Sequence, residues 1–131
     1  MKKILLDSDG YTSFLKGSKE IQKELETADK VFMSVIVLGE LFAAFKKGKL
    51  ESDNLKLLEK FLNKLTVEII KVSKETAKVY ANAKMELEKM GTPIPTNDLW
   101  IAAHVLETGS ILITFDRHYE NISNLRIWEY D

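Results

Sequence analysis

The 131-residue chain contains no cysteine. That absence excludes disulfides, zinc–thiolate sites, iron–sulfur clusters and a cysteine nucleophile. Proline occurs only at Pro93 and Pro95, so no proline-rich linker divides the chain. The six glycines are scattered, and there is no repeat and no low-complexity stretch. No apolar run approaches the ~20 residues that span a bilayer. The opening run Ile4-Leu5-Leu6 is broken by Asp7 and Asp9, too soon for a signal peptide. A cytoplasmic protein with no membrane attachment is expected. Neither sign of charge dominates: 19 Lys+Arg against 20 Asp+Glu give a formal net charge of −1. A protein that coats nucleic acid through a general positive field is more basic than this. Any nucleic-acid partner must therefore be held by local patches, or through a metal ion that brings phosphate to an acidic site.

What is present suits one globular core. Hydrophobic residues make up 45% of the chain and charged residues 30%. A single domain over residues 1–131 is the expectation. Short apolar runs at 2–6, 31–33, 67–72, 111–114 and 126–130 read as strands. Between them, helical periodicity predicts helices at 11–16, 18–28, 35–47, 53–65, 73–90 and 99–108, with one further turn at 117–121. Ser18, Ser34 and Ser73 stand where N-caps belong, with Thr96 or Asn97 as the cap before 99–108. Gly17, Gly48, Gly91 and Gly109 follow helix ends. Strands alternating with helices predict an α/β layered fold with a mainly parallel sheet and right-handed crossovers.

Twenty acids cannot all carry chemistry. Those that interrupt the most apolar stretches are the costliest to bury without a reason. Four qualify. Asp7 ends Ile4-Leu5-Leu6, Glu40 lies inside the apolar run 35–45, Asp98 precedes Leu99-Trp100-Ile101, and Asp116 follows Ile111 to Phe115. Asp7 and Asp116 fall at the C-terminal ends of predicted strands, the edge where open α/β sheets bind ligands. Each acid alone has a plain structural explanation as a turn former or helix cap; the conjunction of four is harder to explain that way. Converging on one rim, they would repel and resist ionisation. A divalent cation relieves that conflict, and all-oxygen ligation favours Mg²⁺ or Mn²⁺.

The ordered motifs Ile4-Leu5-Leu6-Asp7-Ser8-Asp9, then Ser34 to Leu41 around Glu40, then Asn97-Asp98-Leu99-Trp100-Ile101-Ala102-Ala103, then Leu112-Ile113-Thr114-Phe115-Asp116-Arg117-His118-Tyr119 resemble the PIN-domain ribonucleases. They look most like the VapC toxins of toxin–antitoxin pairs. The resemblance covers Ile4 to about Trp128. It implies a three-layer α/β/α sandwich with a parallel sheet. It also implies a metal site of Asp7, Glu40, Asp98 and Asp116, Mg²⁺- or Mn²⁺-dependent endoribonuclease activity, a cognate antitoxin and a twofold dimer. Asp9 adds a fifth acid, as metal ligand or helix cap. Thr114 resembles the small hydroxyl residue that orients the acids, and Asn97 is an accessory candidate beside Asp98.

Other features have plainer readings. His104 reads as a satisfied structural histidine. His118, near Asp116, could meet phosphate, but neither histidine has a partner at zinc-ligand spacing. Tyr11 and Trp100 are aromatic neighbours of the acids that could stack bases, with the core as the alternative for Trp100. Lys56, Lys60 and Lys64 recur every four residues on one helical face, a solvated face or a phosphate strip. Phe42, Phe45, Leu58 and Phe61 exceed what one sheet face can cover and so predict a dimer interface. The rival functions are a non-toxin nuclease acting on other RNA or DNA, a response-regulator-like acidic pocket, and an inactive binding module. The late Asp116-Arg117, where a response regulator has lysine, speaks against the second.

Overall fold

A computed structural model describes residues 1–130. Five strands form one wholly parallel sheet: β1 (Lys3–Leu6), β2 (Lys30–Ser34), β3 (Val67–Ile70), β4 (Ile111–Ile113) and β5 (Arg126–Ile127). Their spatial order is β3-β2-β1-β4-β5. Six helices connect them: α1 (Ser8–Leu15), α2 (Lys19–Thr27), α3 (Val35–Lys47), α4 (Glu51–Leu62), α5 (Lys74–Met90) and α6 (Thr96–Thr108). The chain winds outward from β1 to β3, then returns through α5 and α6 to β4 on the other side of β1. A parallel sheet that grows in both directions from β1, with a helix in every connection but the last, is the expected three-layer α/β/α sandwich. The strand order reverses between β1 and β4, and a ligand crevice belongs at their C-terminal ends.

The apolar runs are strands because they are buried on both faces. Ile4, Leu5 and Leu6 have no exposed surface, nor do Met33, Leu112 and Ile113. Serines at 18, 34 and 73 cap α2, α3 and α5 as expected, each accepting a backbone N–H. Gly91 ends α5 at φ 72°, in the left-handed region where a side chain is strained.

Several boundaries differ from expectation, each for a physical reason. Helix α1 starts at Ser8 rather than 11, because Asp7 caps it, its carboxylate accepting the Gly10 N–H at 2.7 Å. A Cβ at Gly10 would lie 2.7 Å from the Ile113 carbonyl oxygen, so glycine lets α1 pack against the end of β4. Helix α4 starts at Glu51 and ends at Leu62, which leaves Leu65 fully exposed instead of on its apolar face. Helix α6 starts at Thr96, with Pro95 at the N-cap position and no side-chain cap, so neither Thr96 nor Asn97 caps it. Strand β3 ends at Ile70 rather than 72, and β5 spans two residues rather than five. The apolar surplus on α3 and α4 is also smaller than expected: Phe45, Leu58 and Phe61 are buried in the core, and of the four only Phe42 is exposed. No helix of the described residues is long and apolar enough to cross a membrane.

Gly10→Ala tests the close approach. In an ordinary helix interior that change stabilises by roughly 0.5–1 kcal/mol. Here the contact with the Ile113 carbonyl should make it destabilising by about 1–3 kcal/mol, read from the urea midpoint.

Candidate active site

The crevice at the switch point is a cleft of about 160 Å³ lined by Asp7, Ser8, Asp9, Glu40, Asp98, Ile101 and Asp116. Five carboxylates from four separate segments of the chain thus share one rim. Strand β1 delivers Asp7 and the first turn of α1 delivers Asp9. Glu40 stands in the second turn of α3, Asp98 in the first turn of α6, and Asp116 just beyond β4.

Asp7 is buried and fully engaged. One carboxylate oxygen accepts the Gly10 N–H, and the other accepts the Thr114 hydroxyl. The Thr114 oxygen in turn accepts the Asp116 N–H at 3.0 Å. One hydroxyl therefore ties the Asp7 side chain to the Asp116 backbone. Burial is the main cause that pushes the Asp7 carboxyl up to about 6; the charges of Asp9 and Asp116 add to it, while the Thr114 and Gly10 hydrogen bonds oppose it. Ser8, which sequence reasoning passed over, donates to Glu40 Oε1 at 2.7 Å and fixes that side chain. A hydroxyl one residue beyond a candidate acid, on the first turn of a helix, was the available signal.

The tightest group is not the four expected acids. Ligand atoms of Asp98, Asp116 and His118 lie within 4.8 Å of one another. His118 Nε2 is 2.8 Å from Asp98 Oδ2, close enough for an ion pair when the imidazole is protonated, though off the line of a hydrogen bond. Asp7 and Glu40 line the same cleft outside that group. Beneath them the Tyr119 hydroxyl is buried without a hydrogen-bond partner. Burial and the charges of Asp98, Asp7 and Asp116 hold it well above the usual phenol range. This donor set suits a divalent cation: carboxylate oxygens in excess of positive charge, with a buried hydroxyl left unpaired among them.

The remaining candidates separate. Asn97 is exposed and does not line the cleft. Tyr11 is buried edge-on to Phe61 at 5.3 Å and is unavailable to a base. Trp100 is stacked on Tyr80 at 3.9 Å. His104 is the satisfied structural histidine expected, its Nδ1 2.9 Å from the Ser34 hydroxyl and its Nε2 3.2 Å from the Lys71 carbonyl. Lys64 lies over the Phe14 and Phe61 rings, at 5.9 and 5.8 Å, away from the cleft.

Comparison with known proteins agrees with this architecture. The PIN domain description matches residues 5–125. The chain belongs to the PIN-domain family. It is 34% identical over 102 residues to Ribonuclease VapC2 of Haemophilus influenzae, covering 77% of this chain and 76% of that one. It is 28% identical over 134 residues to the tRNA(fMet)-specific endonuclease VapC of Salmonella typhimurium, covering 99% of each. Its fold matches a chain from the crystal structure of VapBC2 from Rickettsia felis bound to a promoter DNA fragment. There the TM-score is 0.86 at 28% identity, covering 98% of this chain and 99% of that one. As a PIN domain, the protein carries its acidic cleft at the strand ends that its topology singles out.

Asp7 makes the metal-free protein sensitive to pH. The folded carboxyl holds its proton up to about 6, whereas the unfolded one loses it near 3.8. Between those values the folded state binds more protons, so stability falls as pH rises through the window. The loss amounts to about 2–3 kcal/mol by pH 7. Asp7→Asn keeps an acceptor for Gly10 and does not titrate. With EDTA present it should match the wild type near pH 4 and exceed its stability at pH 7. Parallel urea curves at both pH values would show no such divergence if burial does not raise this carboxyl.

Proposed function

We propose that this PIN domain is a metal-dependent endoribonuclease, the toxin of a toxin–antitoxin pair, built as one unit over residues 1–131 and acting in the cytoplasm. The observation that carries the proposal is the gathering of Asp7, Asp9, Glu40, Asp98 and Asp116 around one small cleft at the switch point of a parallel sheet. The ribonuclease activity named for the relatives supports it. Asp7, Glu40, Asp98 and Asp116 would hold Mg²⁺ or Mn²⁺, with Asp9 at the exposed rim. When bound, such an ion lowers the pKa of water and offsets negative charge on a phosphodiester.

The chain's own residues do the rest. Thr114 holds the Asp7 carboxylate and the Asp116 backbone in register. Ser8 aims Glu40. His118 Nε2 stands 2.8 Å from Asp98 Oδ2. Hydrolysis needs an oxygen of water to bond to phosphorus while the ester oxygen leaves, and a carboxylate of the cleft is the base that accepts the water proton. The cleft is lined by carboxylates, Ser8 and Ile101, with no aromatic ring on which a base could stack, which suits sequence-tolerant contact at the scissile bond.

The same reading includes two protein partners. A cognate antitoxin would send an Arg or Lys of its tail into the acidic cleft to pair with two carboxylates, and the groove of about 330 Å³ floored by Phe14, Leu25, Val31 and Phe61 would take its apolar side chains. A twofold dimer would cover Phe42, Leu50 and Leu57, which remain exposed on and around α3 and α4. Sedimentation of the purified protein at micromolar concentration should give the mass of two chains, and Phe42→Glu should shift it to one; a monomer throughout would remove the dimer.

Asp98→Asn and Asp116→Asn should each lower cleavage of single-stranded RNA by about a hundredfold or more, since even outer partners of a metal site cost 10–100-fold. Their melting temperatures should equal or exceed the wild type, because each removes a like charge from the cluster. Mn²⁺ at a hundredfold excess over its Kd should stabilise the wild type by about 2.7 kcal/mol. RNA cleavage that persists in EDTA would overturn the metal-dependent reading. Loss of folding in both variants would return these acids to the role of caps and turns.

A further inference from the structure

Beside the acids, at the β5 edge of the same rim, three aromatic rings form a shelf. Phe115 stands between Thr114 and Asp116, about 3.8 Å along the chain from each Cα. Its ring meets Trp128 edge-on at 5.9 Å and Tyr130 edge-on at 5.0 Å, and Trp128 and Tyr130 are 5.0 Å apart. Trp128 is buried, and its backbone N–H donates to the Leu112 carbonyl at 2.9 Å, which ties the shelf to β4. Phe115 and Tyr130 keep 38% and 37% of their surface in solvent. Among the described residues only Phe42 is an aromatic exposed to the same degree, so this is where exposed rings concentrate. The Arg117 guanidinium lies 5.8 Å from the Tyr130 ring centre and opens onto a groove of about 260 Å³ with Trp128 and Leu125 on its wall.

We propose that this shelf is a base-stacking subsite for the RNA strand. A nucleobase flanking the scissile phosphate stacks on Phe115 or Tyr130, and Arg117 meets a neighbouring phosphate. The inference rests on the nuclease reading above and goes beyond it, because it says what holds the strand. A cleft with five carboxylates repels a polyanion, and the chain as a whole carries a formal charge of −1. Attraction must come from elsewhere. Stacking on an aromatic face carries no charge, accepts every base and is substantial per base. Arg117 pairs with Glu120 at 2.7 Å, but the two side chains are 71% and 54% exposed. A pair so exposed is weakly held, so the guanidinium can exchange its carboxylate for a phosphate. A protein partner fits less well: a stable interface buries about 800 Å² per side, and two half-exposed rings are far short of that.

The test uses the whole protein with a fluorescein-labelled single-stranded oligoribonucleotide. Anisotropy in EDTA reads binding, and steady-state cleavage in Mn²⁺ reads KM and kcat. Phe115→Leu and Tyr130→Leu should each weaken binding and raise KM on the order of tenfold, with kcat within a factor of about two or three and the melting temperature unchanged. Tyr130→Phe keeps the ring and should match the wild type. Arg117→Gln should raise KM and flatten the salt dependence of binding. Should Phe115→Leu destabilise the fold, the exposed Tyr130 and Arg117 variants decide alone. If the wild type cleaves the oligonucleotide and these variants keep its Kd and KM, the shelf is no subsite and the nuclease reading stands. If the folded wild type, with Mn²⁺ present, neither binds nor cleaves RNA, the nuclease reading fails and the subsite falls with it.

Discussion

The carboxylate of Asp7 receives one hydrogen bond from each side of the place where the sheet changes direction. On its own side it accepts the Gly10 N–H and so starts α1. Across the rim it accepts the Thr114 hydroxyl beyond β4. That second bond exists only because β1 and β4 pair in parallel with Leu6 opposite Ile113, which sets the residues after each strand side by side. The first bond draws α1 down onto β4 until its third residue touches the Ile113 carbonyl, where only glycine fits. Register, helix entry and the aim of two acids are therefore one constraint. A slip of β4 by one residue would turn Thr114 away from Asp7 and Asp116 with it.

Such an arrangement stores electrostatic cost. Buried Asp7 resists ionisation, and the neighbouring acids add like charge. The fold offsets part of this with fixed donors: Thr114 and Gly10 on Asp7, and Ser8 on Glu40. It does not offset all of it, and the Tyr119 hydroxyl stays unpaired in their midst. Acids gathered at such an expense are what the proposed metal-site reading would explain, since a divalent cation would offset the charge that the fixed donors leave over.

Much of this was legible in the residue order. Apolar runs marked all five strands, since a parallel strand buried on both faces needs no alternation. Glu40 stood out because it sits inside an eleven-residue apolar run, 35–45, that left it no structural excuse. Misplacements came where tertiary contact overrode a local signal. The first helix was expected from residue 11 because the contact of Gly10 with Ile113, more than a hundred residues away, leaves no local signal. Thr96 and Asn97 looked like caps because both are good at it, yet the chain enters α6 one residue sooner, from Pro95. The run 126–130 looked like a full strand because its aromatics favour extended chain; beyond Ile127 they gather on Phe115 instead. His118 was seen only as a neighbour of Asp116, since its contact with Asp98 joins two segments that no spacing rule connects.

The near-neutral charge of the chain joins the acidic cleft and the aromatic shelf in one scheme. A basic nuclease can gather RNA from a distance and sort out position afterwards. This chain has no such field, and its cleft is strongly acidic until a cation enters. On the nuclease reading proposed above, encounter would depend on short-range terms: stacking at the β5 edge, the Arg117 guanidinium, and a divalent ion held by the carboxylates. Those terms act over a few ångströms, so they reward a strand already single and already shaped to the rim. Selectivity for a particular loop or end of RNA can then arise from shape and access without a base-reading pocket. It would be carried by residues beside the acids, such as Phe115, Arg117 and Tyr130, while the acids themselves supply only the chemistry.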